Sequence, residues 1–463
     1  MEEKKQKESK TMTRRDFIGK SAAAAATVTA FTIVPRHVVA RSGKTPPSDK
    51  LNIASVGVWG KGRSDIMSVS SENIVALCDV DDEHMAMFRD YSKKEGKPEI
   101  FEKAKKYRDF RKMLEENDKI IDAVTVTTPD HNHAVIAAMA MKMKKHVFVQ
   151  KPLTHTIYEA RYLAKLAKET GVVTQMGNQG HAGEGGRLIC EWIWDGAIGE
   201  IREVHCWTNR PIWPQGIERP KEIPSVPSTL DYNLWLGPAP FKPYHPICSH
   251  FNWRGWWDYG TGAIGDMGAH ILDHAYWALK LKYPTSVHAT STPWTEDSYP
   301  LAELITWEFP ARENMPPVTL HWYDGGLKPP RPPQIEDGRM MGDRGGGVLF
   351  IGDKGALMCS VYGRNPRIIP ESKMREYKRP PKTIPRSPGI HEEWIQAIKE
   401  GKKSTTDFSY SGPLTETMLL GNLAIRFQDK NTKLYYDGEK GEITNLPEAN
   451  EFLHFKYRPG WHL

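Results

Sequence analysis

The sequence predicts an α/β chain whose first half is a doubly wound parallel sheet and whose second half is a separate domain. Two observations lead there. Between about residues 50 and 177, short apolar runs alternate with helical stretches, the strand–helix rhythm that builds parallel sheets. At 463 residues the chain is also too long for one ordinary domain. The division reads as an N-terminal leader over 1–40, a first domain over 50–177 and a second over 178–463.

Composition narrows the class. Hydrophobic residues make up 39% and mean hydropathy is −0.55, too polar for a membrane protein but enough for a large core. The formal charge is +6, yet residues 1–40 hold eight Lys and Arg against four acids, leaving +2 for the remainder. Nothing there favours nucleic acid or an anionic membrane as partner. The five cysteines are scattered and form no Cys-x-x-Cys, so neither a disulfide framework nor a zinc site is expected, and no metal is predicted.

The leader reads as an address. A charged stretch (Lys4–Lys10) precedes Thr13-Arg14-Arg15-Asp16-Phe17-Ile18-Gly19-Lys20, an apolar run over Ser21–Val34, and Val38-Val39-Ala40, a small-residue cleavage site. This resembles a twin-arginine export signal. The apolar run is too short for a stable span and no Cys follows it, so no membrane anchor is expected. The predicted location is the periplasm.

In the first domain, Leu51–Val56 is an apolar strand running into Gly57-Val58-Trp59-Gly60-Lys61-Gly62 and then a helix; a second strand, Ile74–Cys78, ends at Asp79. Strand, glycine turn, helix, strand and acid in this order are a dinucleotide fingerprint, with free helix N–H groups for pyrophosphate. Asp79 can accept from both ribose hydroxyls and would repel a 2′-phosphate, favouring NAD over NADP. In the usual register Trp59 stands where the second glycine belongs, with Gly60 beside it. A strand over Ala123–Thr127 closes on Thr128-Pro129, with His131 and His133 in the following loop and a helix over Val135–Met143. Strands at His146–Val149 and Val172–Met176 flank a helix over Ile157–Thr170. Gln150-Lys151-Pro152 follows one strand, and Asn178 to His181 follow the other. All lie at the carboxyl edge of the sheet, where ligands bind.

In the second domain, helices are predicted over Arg187–Asp195, His391–Glu400 and Pro413–Phe427. Strands are predicted over Ile201–Trp207, Ser286–Thr290, Ala302–Phe309, Val318–Trp322, Gly347–Ile351 and Ala356–Cys359. Asn209–Pro246 and Gly325–Gly346 are long loops. The stretch Gly260–His274 reads as a helix from about Gly265, placing Asp266, His270 and Asp273 on one face. An acid and an imidazole one turn apart suit proton transfer; equally, they suit a satisfied polar stripe.

The order of VGVWGKG, LCDVD, TTPDHNH, VQKPLTH, QMGNQGH and GDMGAHILDH resembles the Gfo/Idh/MocA oxidoreductases, from about Lys50 to the C-terminus. The resemblance implies a Rossmann domain followed by an α+β domain with a largely antiparallel open sheet. It further implies NAD as cofactor, a small carbohydrate as substrate and a homo-oligomer. The family's lysine maps onto Lys151 and its Asp-x-x-x-His pair onto Asp266 and His270, which become the catalytic candidates; Gln150 stands where the family usually has Glu. Cofactor-binding candidates are Gly57, Trp59, Gly60, Lys61, Gly62, Asp79, Thr128, Pro129, His133, Lys151 and Asn178. Substrate-binding candidates are His181, Arg254, Trp257, Asp258, Tyr259 and His270.

The implied chemistry is hydride loss from a sugar or glycoside carbon, for instance C3. His270 would be the base, Lys151 would polarise the oxygen, and Asp266 would orient His270 or bind hydroxyls. Export implies a cofactor held tightly, since no free pool surrounds it, and an unknown electron acceptor. Two alternatives stand beside this reading: a glycoside hydrolase working by transient oxidation, and a non-catalytic sugar-binding protein with a retained nucleotide site.

Overall fold

The computed structural model describes residues 49–463; the export signal expected over 1–40 lies outside them. The apolar runs of the first half form a six-stranded, all-parallel sheet. Its strands are β1 (Asn52–Val56), β2 (Asn73–Cys78), β3 (Lys105–Tyr107), β4 (Ala123–Val126), β5 (His146–Val149) and β6 (Thr174–Met176), in the order β3-β2-β1-β4-β5-β6. The order reverses between β1 and β4, which opens a crevice at their carboxyl ends.

The second half forms a nine-stranded sheet in the order β13-β12-β11-β7-β10-β9-β8-β14-β15. Its strands are β7 (Ile201–Thr208), β8 (Ser286–Ser291), β9 (Glu303–Phe309), β10 (Val318–Tyr323), β11 (Gly346–Gly352), β12 (Gly355–Ser360), β13 (Arg367–Ile369), β14 (Leu434–Asp437) and β15 (Glu442–Ile443). Every pairing is antiparallel except β7 with β10. The fold is therefore a doubly wound parallel sheet joined to an α+β unit on an open, largely antiparallel sheet.

Eight helices reach eight residues or more among the described residues. They are α1 (Lys61–Ser68), α2 (Asp82–Lys94), α3 (Asp130–Lys142), α4 (Ile157–Thr170), α5 (Glu184–Trp194), α6 (Gly262–Ala278), α7 (Ile390–Glu400) and α8 (Phe408–Arg426). Residue chemistry fixes the ends of α4. The Thr156 hydroxyl and the Glu159 carboxylate close a reciprocal capping box, and Gly171 ends the helix at φ 70°. The helix after β4 begins at Asp130, five residues before the expected Val135. Pro129 at φ −58° leads directly into the first turn. His131 and His133 are thereby carried inward on the helix rather than left in a loop.

Leu51–Leu463 forms one compact unit. The reason is that C-terminal helices return to the N-terminal sheet. Ile390, Trp394 and Ile395 of α7 share a core with Ile53, Leu77 and Phe148, and α8 lies against α4 and α6. The short strands β3 and β13 to β15, unforeseen from the sequence, sit at or next to sheet edges, where polar sequences such as Lys105-Lys106-Tyr107 pair without an apolar pattern. Among the described residues, no helix is long and apolar enough to cross a membrane.

Candidate active site

A cavity of about 1060 Å³ opens at the crevice of the parallel sheet and extends to α6. Its near end is the glycine turn after β1. Gly57 has φ +83°, and a Cβ there would stand 2.3 Å from the Thr127 carbonyl oxygen, so only glycine lets β1 and β4 approach so closely. Gly62 packs equally tightly, 2.1 Å from the Gly57 carbonyl by the same measure. Gly60 takes the special conformation beside Trp59 (φ 61°, ψ −118°) and stands before α1 with open space around it. No side chain caps α1, which leaves its first N–H groups for an anion. Trp59 is held at the rim by the Arg63 guanidinium, 4.6 Å above its ring. Asp79 accepts the Val58 N–H at 2.9 Å and the Asp81 N–H at 3.1 Å, which aims its carboxylate into the cavity. These are the features a dinucleotide requires: a tight turn, an uncapped helix start and an acid at the end of β2.

Beneath this turn lies a hub the sequence did not reveal. Asp65 of α1 is fully buried. It pairs with Lys61 Nζ at 2.8 Å and His391 Nε2 at 3.0 Å, and accepts from Thr127 Oγ1 at 3.0 Å and Gln150 Nε2 at 2.8 Å. Burial alone would raise its pKa, but His391 and Lys61 hold it below the usual carboxylate range. The hub accounts for Gln150. A glutamate there would set a second carboxylate against Asp65, whereas the glutamine amide donates to it.

At the far end, Lys151 Nζ donates to Asp266 Oδ1 at 2.9 Å and to the Asp266 carbonyl at 2.8 Å. Arg254 Nε donates to the same Oδ1 at 3.2 Å, and Arg210 Nε stands 3.5 Å from Oδ2. Burial opposes the charge, yet Lys151 and Arg254 keep the Asp266 carboxyl far below its ordinary value. His270, one turn along α6, packs edge-on against Tyr362 with ring centroids 4.8 Å apart. Its Nδ1 is buried without a partner. Burial, reinforced by the Lys151 charge, lowers its pKa to about 3, so the imidazole is neutral at pH 7. Asp266 thus aligns Lys151 rather than His270: its hydrogen bonds run to Lys151 and Arg254.

The remaining candidates divide. Gly57, Trp59, Gly60, Lys61, Asp79, Thr128, Pro129, Lys151, Arg254, Asp266 and His270 all line the cavity. Thr128 Oγ1 is buried there without a partner. His133 is buried behind the wall, bonded to the Pro152 and Thr128 carbonyls, with a pKa pushed by burial down to about 4. Asn178 is buried with both amide atoms unpartnered. His181 does not face the cavity; its Nδ1 lies 3.0 Å from Asp273 Oδ1 and its ring stacks on Trp277. Tyr259 is fully buried, while Trp257 and Asp258 border a separate cavity of about 390 Å³. There Arg426 covers the Trp257 ring and Lys242 pairs with Asp258. Three residues that sequence reasoning passed over do line the main cavity: Arg210, Trp213 and Tyr362. They come from the long loop after β7 and the turn after β12, where no periodicity signals orientation.

Residues 51–178 match the oxidoreductase family's NAD-binding Rossmann fold, and residues 202–309 match its C-terminal alpha/beta domain. The chain belongs to the Gfo/Idh/MocA oxidoreductase family. Its first domain is the family's NAD-binding domain, and the Gly57 turn, the open start of α1 and Asp79 fit that cofactor. This Gfo/Idh/MocA chain is 34% identical over 103 residues to the 2,7-anhydro-N-acetylneuraminate hydratase of Escherichia coli, covering 22% of this chain and 27% of that one. It is 24% identical over 172 residues to the levoglucosan dehydrogenase of Pseudarthrobacter phenanthrenivorans (36% and 35% covered). It is also 24% identical over 159 residues to a glycosyl hydrolase family 109 protein of Shewanella pealeana (34% and 34%). The match spans about a third or less of these curated relatives. Among solved structures, the WlbA dehydrogenase of Bordetella pertussis, in complex with NADH and UDP-GlcNAcA, shares the fold. The TM-score is 0.56 at 15% identity, covering 84% of this chain and 99% of that one.

Proposed function

We propose that the protein oxidises a hydroxyl of a sugar or glycoside, with NAD as a tightly held cofactor. The observation that carries this reading is one continuous cavity with the dinucleotide turn at one end and Lys151, Asp266 and His270 at the other. NAD, when bound, supplies the hydride acceptor. His270, neutral at working pH, takes the hydroxyl proton. Lys151, aligned by Asp266, stabilises the negative charge that grows on that oxygen. Arg210 and Arg254 offer further donors to neighbouring hydroxyls, and Trp213 and Trp253 offer faces for the sugar ring.

The proposal includes export through residues 1–40, two domains meeting near residue 177, and a homo-oligomer. Reduced cofactor is then reoxidised on the protein by a second carbonyl compound or a partner. A second reading, hydrolysis through transient oxidation, is supported by the named family 109 relative. Nucleotide content and product identity decide. Gently purified protein is expected to carry NAD, and a ketosugar with reduced nicotinamide marks the oxidoreductase. Aglycone release with no net reduction marks the hydrolase. Protein that neither carries nor binds NAD overturns both.

A further inference from the structure

The nine-stranded sheet has two faces. Val204 and Cys206 of β7 and Leu320 and Trp322 of β10 point into the main core, together with Ile271 and Leu272 of α6. The alternate residues of the same strands point the other way. Glu203 and His205 are therefore neighbours on the outer face, and the parallel register sets His321 of β10 directly beside His205. None of the three residues lines the cavity of the candidate active site.

The three side chains converge on one point. Glu203 Oε1 lies 3.2 Å from His205 Nε2 and 3.5 Å from His321 Nε2, and the three ligand atoms lie within 4.8 Å of one another. In a tetrahedral zinc site with bonds of ~2.0–2.1 Å, ligand atoms stand about 3.3–3.4 Å apart. The far nitrogen of each ring is held as well. His205 Nδ1 lies 3.1 Å from Tyr323 Oη, and His321 Nδ1 lies 2.9 Å from Thr306 Oγ1. When each Nδ1–H donates to its hydroxyl, both Nε2 lone pairs are free and aimed at the carboxylate. Such outer hydrogen bonds are how metal-binding imidazoles are fixed. The rings stack, with centroids 5.1 Å apart and planes 16° from parallel. Glu203 is half exposed, so water can complete the coordination.

We propose that Glu203, His205 and His321 form a binding site for a divalent transition-metal ion of the zinc type. Two imidazoles and one carboxylate suit zinc and its neighbours over magnesium or calcium, which prefer all-oxygen shells. The ion ties β7, a strand packed against α6, to its parallel neighbour β10. Its place is structural: it braces the sheet behind the helix that carries Asp266 and His270. The sequence alone does not mark this cluster, because Glu-x-His is a common strand pair and His321 lies far along the chain.

The test uses the full chain, stripped with chelator and titrated with Zn²⁺ by calorimetry, with Co²⁺ as a spectroscopic probe. The expected result is one ion per chain, a tetrahedral Co²⁺ spectrum and a thermal midpoint that rises with Zn²⁺. Mg²⁺ and Ca²⁺ should not compete. Glu203→Gln and His321→Gln replace the less buried ligands and should abolish binding while circular dichroism stays that of the parent. Tyr323→Phe, which removes only the outer hydrogen bond, should weaken binding by about 10–100-fold. Absence of stoichiometric binding by the parent overturns the proposal, as does binding unchanged in the folded Glu203→Gln and His321→Gln variants.

Discussion

Helix α6 carries two acid–imidazole pairs, and they have opposite surroundings. Asp266 and His270 face the cavity: the carboxylate is shared by Lys151 and Arg254, and His270 has a nitrogen without a protein partner. Asp273 and His274 face the core. Asp273 is closed off by His181 Nδ1 at 3.0 Å and Tyr410 Oη at 2.7 Å. His274 likewise has ring nitrogens without a partner, but it is wedged so tightly that a Cβ at Gly363 would lie 2.8 Å from its ring. The residue types are alike. What separates the two pairs is whether the space opposite is open or filled, and that is set by α5, α8 and the turn after β12.

The largest expected effect breaks the open pair. His270→Ala and Lys151→Ala should each lower kcat by about 10²–10⁴-fold with NAD still bound; the melting temperature should stay nearly unchanged in His270→Ala and fall in Lys151→Ala, which leaves the buried Asp266 carboxylate to Arg254. Turnover and nucleotide content measured on the same preparation check this. The closed pair should respond in the other currency. Asp273→Ala strands two buried partners and should cost ~3–5 kcal/mol in denaturant unfolding, while the folded fraction keeps its turnover number. If Asp273→Ala instead removed activity at full stability, the distinction between the pairs would fail.

Two smaller effects sharpen the electrostatics. Gln150→Glu sets a carboxylate against Asp65, and unfolding should show a loss of about 1–3 kcal/mol at pH 8. The loss should shrink as pH falls and the new acid takes up a proton; a pH-independent loss would point to shape rather than charge. The pH dependence of His270 is the subtlest. Its folded pKa of about 3 lies below the unfolded value of ~6.5, so the unfolded chain binds the proton more readily. The stability His270 contributes is complete above ~6.5 and is lost as pH falls toward 3. In kinetics, His270 should give kcat/KM no acid limb between pH 5 and 8. Asp130 behaves oppositely. Burial raises it to about 7, so its contribution is complete below its ordinary value and is lost as pH rises through 7. Asp130→Asn should therefore gain on the parent in melting temperature as pH rises from about 4 to 7, with the gain level above 7.

Much of the frame is legible in the chain because its causes are local. Thr156, Glu159 and Gly171 mark α4 at both ends, and Gly57, Gly60 and Asp79 mark the turn beside β1. Lys151, Asp266 and His270 are readable because their motifs fall in order. What escapes the sequence depends on distant partners. Asp65 gains its meaning from Gln150 and His391, and His181 is taken from the cavity by Asp273 and Trp277. Arg210 and Tyr362 arrive from irregular segments, Tyr362 at φ +64°. The early start of α3 follows from Pro129, which in the sequence marks the end of a strand and the opening of a helix equally well.

In the proposed reaction His270 takes a proton beside a nicotinamide. The most direct test is a single turnover of NAD-loaded protein with the most responsive compound of a sugar and glycoside panel, following reduced nicotinamide in the parent and in His270→Ala. Rapid reduction and a ketosugar are expected in the parent, and NAD that stays bound but oxidised in the variant. Equal rates in the two proteins would contradict this.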